Sequence, residues 1–83
     1  MDSLTVNVTA EDIEKGERAN PYFCPIAHAV RRELDLWIPP QVSEFCMIVR
    51  SVAFRLPDTA RKFVDDFDRG RDVEPFKFTS ERL

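Results

Sequence analysis

VSEFCMIVRSVAFRL, residues 42–56, is rich in β-branched and aromatic residues at alternate positions. Phe45, Met47 and Val49 alternate with Cys46 and Ile48, and after Arg50-Ser51 the residues Val52, Phe54 and Leu56 alternate with Ala53 and Arg55. A period of two sends successive side chains to opposite faces of a strand, so the stretch predicts β structure. Arg50-Ser51 sits where a hairpin would turn but lacks the Gly or Asn that usually marks one. Two strands are favoured, and one bent or bulged strand is the competing reading. Cys46, inside the apolar run, reads as a small buried hydrophobe.

Downstream, Pro57-Asp58 predicts a helix start with Asp58 as its cap. Ala60, Phe63, Val64 and Phe67 make its inner stripe, Arg61, Lys62, Asp65, Asp66 and Arg69 its outer face, and Gly70 ends it. Residues 73–78 read as an edge strand, because Pro75 lacks the amide donor of a central strand; Phe76 and Phe78 point inward. Residues 80–83 are expected to fray.

Upstream, Leu4, Val6 and Val8 alternate with polar residues and predict a first strand. Thr9-Ala10-Glu11-Asp12 resembles a capping box, and Gly16 is placed to end the short helix it opens. A polar loop over 16–22 closes on Asn20-Pro21. Pro25, in FCPIAHAVRREL (residues 23–34), suits the first position of a second helix, with Cys24 at its N-cap. Phe23, Ile26, Ala27, Val30, Leu34 and Trp37 share one arc of that helix and form its core face, whereas His28, Arg31, Arg32 and Asp35 lie opposite. Pro39-Pro40 stops it.

Strand, helices, strand pair, helix and strand make an α+β chain. Eighty-three residues are one domain, residues 1–83, with helices on one face of a small sheet of 3–4 strands, a two-layer arrangement. A ferredoxin-like order of elements is compatible with it. A composition 43% hydrophobic and 33% charged is that of a folded protein. No apolar run approaches the roughly 20 residues that span a membrane, so no membrane partner and a cytoplasmic location are expected. A net charge of −3 with interleaved signs disfavours nucleic acid.

The segments VTAEDIEKG, CPIAHAVRREL and LPDTARKFVDDFDRGRDVEPFKF are similar to the landmarks of small uncharacterised bacteriophage and prophage proteins. Those have a Cys-Pro-x-Ala-x-Ala helix and a closing Pro-Phe-x-Phe strand. The resemblance implies a small phage accessory protein and carries no activity, cofactor or catalytic residue. Its landmarks are caps, turns and core positions.

Three sharper chemistries compete for the same residues. Cys24 at a helix start, where the dipole favours a thiolate, with His28 four residues on, is the minimum pair for nucleophilic catalysis. An enzyme would also need an oxyanion donor set, an orienting third group and a pocket, for which 83 residues with two glycines leave little room. Cys24, His28 and Cys46 with a carboxylate would make a metal set, but paired close ligands are missing, so neither metal nor cofactor is expected. His28, Arg31 and Arg32, with Arg50 or Arg55, would make a weak nucleic-acid patch. The reading that remains is a non-enzymatic protein-interaction module, its partner a host protein or a second copy. Its candidate binding residues are His28, Arg31, Arg32, Asp35 and Trp37, with Cys24 as a possible reactive thiol. Trp37 has two readings: core side chain, or part of an exposed apolar segment Leu36–Pro40. Unpaired sheet edges are a further route to a partner.

Overall fold

The structure, a computed structural model, describes residues 2–83. Strand β1 (Ser3–Val8) leads into α1 (Ala10–Lys15) and α2 (Pro25–Leu34). Strands β2 (Gln41–Val42), β3 (Cys46–Val49) and β4 (Val52–Arg55) follow, then α3 (Asp58–Asp68) and β5 (Phe76–Arg82). The strands form one antiparallel sheet of five in the order β1-β5-β4-β3-β2. The chain is thus α+β, with one strand more than the upper count expected. The extra strand is β2, two residues long and too short to leave a periodic signal.

The hairpin is real. Arg50 and Ser51 both have left-handed backbone, at φ 51° and 66°, and Val49 faces Val52 across the turn. Two central residues of positive φ match the right-handed twist of flanking strands, which is why such turns favour Asn-Gly. Arg-Ser takes the conformation without the preferred residues, so the local signal was weak while the pairing of β3 with β4 is not.

Pairing also sets the faces. Val6 opposes Phe78, Val8 opposes Phe76, and Met47 opposes Phe54. Leu4, Val6, Val8, Met47, Val49, Phe54 and Phe78 are buried on one face and join a core with Ile26, Ala27 and Val30 of α2 and Ala60 and Phe63 of α3. The residues between them, such as Ser3, Thr5, Lys77 and Thr79, are exposed. Cys46 falls on this outer face. It is half-buried, beside the Ser43 hydroxyl at 3.4 Å, and is not the core residue expected, because the register puts Met47 inward instead.

β5 departs most from expectation. It starts after Pro75 and lies between β1 and β4, in the interior of the sheet. Pro75 precedes the ladder, so its missing donor costs nothing. The C-terminus does not fray: Arg82 donates its amide to Asp2 and Leu83 to Ala53. Phe76 stacks on Phe63 at 4.7 Å and on Phe78 at 5.4 Å, tying β5 to α3.

The helices start and stop as their end residues dictate. Thr9 and Asp12 complete the capping box of α1. The Cys24 sulfur accepts from the Ala27 amide at 3.5 Å, with Pro25 as first residue of α2. In α3 the cap is Pro57, with no side-chain bond, and Asp58 is the first helical residue rather than the cap. Gly70, at φ 78°, ends it: its amide returns to Phe67 and that of Arg71 to Asp66. This is the paired closure that a left-handed residue after a helix permits.

Candidate functional site

The end of α2 decides what the surface offers. The helix stops at Leu34, and Asp35 turns left-handed at φ 52°. Leu36 then donates its amide to the Arg31 carbonyl at 3.0 Å, and the Arg31 guanidinium donates back to the Leu36 carbonyl at 3.3 Å. These bonds pin Leu36 into the core. The helical phase is lost at Asp35, so Trp37 does not follow Leu34 inward. Trp37 is 94% exposed and Ile38 is 81% exposed, which corrects the reading of Trp37 as a core residue and agrees with its alternative. Pro39 and Pro40 fix the backbone that follows.

Tyr22, from the loop before α2, and Ile48, from the outer face of β3, are exposed beside this segment. With Asp35, Arg50, Leu36 and Pro39 they line a groove of about 440 Å³ whose rim carries Trp37 and Ile38. Of the expected binding residues, Asp35 and Trp37 are brought together here. Ile48 and Arg50 are additions. Alternation placed Ile48 opposite Met47, but only the fold of β3 beside residues 35–39 makes it a neighbour of Trp37.

Arg32 belongs elsewhere. Its guanidinium donates to the Asp12 carboxylate at 2.9 Å and to the Asn7 carbonyl at 3.0 Å. Burial works against the charge on Asp12, but Arg32, the Thr9 amide and the Thr9 hydroxyl outweigh it and hold the carboxyl below its ordinary range. Arg32 therefore ties α2 to α1 and β1. Arg31 is exposed, and half-buried His28 lies near Phe23, with ring centroids 6.3 Å apart. Among the possible basic contacts, Arg55 stands opposite Glu81 in the sheet, and Arg50 donates to the Leu34 carbonyl at 3.4 Å.

Cys24 is 5% exposed. Burial pushes its thiol up, and the amides of Ala27 and Ile26 at the helix start only partly oppose this. Desolvation thus opposes the lowering that a helix start favours. The His28 amide donates to the Cys24 carbonyl at 3.0 Å as part of the helix, and no hydrogen bond joins the Cys24 thiol to the His28 ring among the described residues. Nor does any group of three or more His, Cys, Asp or Glu side chains among them stand in a metal-holding arrangement, with Cys46 on the outer face of β3.

A second groove, of about 740 Å³, runs beside α3. Its lining is mixed, with Asp58, Asp65 and Asp68 beside Cys24, Val42 and Val64, and the Arg61 guanidinium lies 4.5 Å over the Phe45 ring. The sheet edges are partly closed. Asn7, on the open side of β1, donates its amide to Glu33, and the β2 residue Val42 donates to the Pro21 carbonyl at 2.8 Å. No helix among the described residues is long and apolar enough to cross a membrane. Compared with known proteins, the chain matches no family model, no curated protein and no solved structure.

Proposed function

We propose that this chain is a non-enzymatic protein-interaction module, a phage or prophage accessory protein working in the cytoplasm on a protein partner. The observation that carries this reading is Trp37 with Ile38, almost wholly exposed on a backbone fixed by Leu36 on one side and two prolines on the other. Exposed apolar patches rimmed by polar groups mark interaction sites in soluble proteins, and Trp is prominent among residues that anchor interfaces. The helices, in this reading, form one layer over the buried face of the sheet and leave the 35–39 segment free to act. The phage assignment rests on the landmark segments alone.

The test is binding from bacterial lysate by the immobilised chain, followed by reconstitution of the complex from purified components. Trp37→Ser/Ile38→Ser should abolish a complex of fixed stoichiometry while leaving the circular dichroism spectrum unchanged. A partner held equally by wild type and this variant would overturn the surface assignment, and the absence of any partner, whether a lysate protein or a second copy, would overturn the module itself.

A further inference from the structure

Resting on the reading of the Trp37 surface as an interface, we infer that its occupant is a second copy of this chain, related by a two-fold axis. Two features of the surface are self-complementary. Trp37 and Ile38 stand exposed as one wall of a hollow of about 440 Å³ that Leu36, Pro39 and Ile48 also line. In a two-fold interface the same patch serves both sides, so Trp37 and Ile38 of each copy enter the hollow of the other.

The charges agree. Asp35 and Arg50 line the same hollow, and neither takes part in an ion pair among the described residues. A two-fold axis through the patch sets the Asp35 carboxylate of one copy against the Arg50 guanidinium of the other, twice.

The area is also adequate. Tyr22, Trp37, Ile38 and Ile48 together expose on the order of 500 Å² of side chain, on a scale of roughly 200 Å² for one large residue. With the polar rim this approaches the roughly 800 Å² per partner of a standard interface. An interface of that size with one aromatic anchor fits a micromolar dimer. Backbone pairing at β2 does not contribute, because Pro39 and Pro40 precede it and the Val42 amide is taken by Pro21.

Trp37 is the only tryptophan, so its emission reports directly on the proposed contact. Sedimentation of the full chain from about 1 µM to 1 mM should show monomer passing to dimer, with Trp37 emission moving to shorter wavelength over the same range. Ile38→Ser should weaken the dimer at least about tenfold, and Trp37→Ser at least about 30-fold. Asp35→Arg or Arg50→Asp alone should weaken it about three- to tenfold, and the two together should restore it. A wild-type monomer throughout, with emission independent of concentration, overturns the second-copy proposal. A complex with another protein that is still lost in Trp37→Ser/Ile38→Ser would then leave the interaction reading standing. A dimer indifferent to Trp37 and to both charge reversals overturns the placement of the interface.

Discussion

Asp12→Ala removes a carboxylate that serves two parts of the fold at once. It accepts from the Thr9 amide at 2.9 Å and the Thr9 hydroxyl at 3.0 Å, and it pairs with Arg32 from α2. The reciprocal bond, from the residue 12 amide to the Thr9 hydroxyl, survives the substitution, so only half the capping box is lost. That half is the bond from the Thr9 amide, and leaving this part-buried amide without a partner costs about 1 kcal/mol. Arg32 is half exposed and regains water, so its share is smaller, about 0.5 kcal/mol. The expected loss is about 1–2 kcal/mol, a large fraction of the stability of a domain this size. In thermal unfolding it should lower the midpoint by about 5–15 °C. Urea unfolding followed by circular dichroism at pH 7 measures the free-energy loss directly.

The pH dependence gives a second, independent check. The Asp12 carboxyl is held below its ordinary range when folded, so its contribution is complete above the unfolded value of about 4. It is lost as pH falls through the lower folded value. The gap between wild type and Asp12→Ala should therefore be constant from pH 7 to about 5 and close below about 4. Carboxylates such as Asp66, also held low by Lys62 and Arg71, shift both proteins alike and cancel in the difference. A loss below about 0.5 kcal/mol at pH 7, or a gap that widens towards acid, would refute the role given to Asp12 and Arg32. It would also return Arg32 to the list of candidate partner contacts.

Other consequences are simpler to read. Ser51→Gly should stabilise the protein by about 0.5–1 kcal/mol in urea unfolding, since Gly takes the left-handed turn position without the Cβ clash that Ser bears. Native-state alkylation, followed by mass spectrometry, should label half-buried Cys46 well before Cys24, whose thiol is buried and raised; rapid labelling of Cys24 would reopen its nucleophilic reading. Ser80→Ala should be neutral or stabilising by up to about 1 kcal/mol, because the Ser80 hydroxyl is fully buried with no hydrogen-bond partner among the described residues.

What the sequence determined by itself was local. Alternation in residues 4–8 and 45–56 fixed which side chains share a face. Thr9 and Gly70 fixed helix ends through bonds that span three to five residues, and Pro25 did so through its fixed φ and missing amide. Each of these needs only neighbours along the chain, so the residues themselves carry the information. The position of β5 between β1 and β4 depends on partners more than twenty residues away, and Pro75 gave a misleading sign because it constrains only the residue it occupies. Arg32 looked like a free surface charge until the fold set it against Asp12, twenty residues earlier. Trp37 turned outward because one left-handed residue, Asp35, ended the helix a turn sooner than periodicity implied, and only the packing of Leu36 into the core selects that backbone over a longer helix.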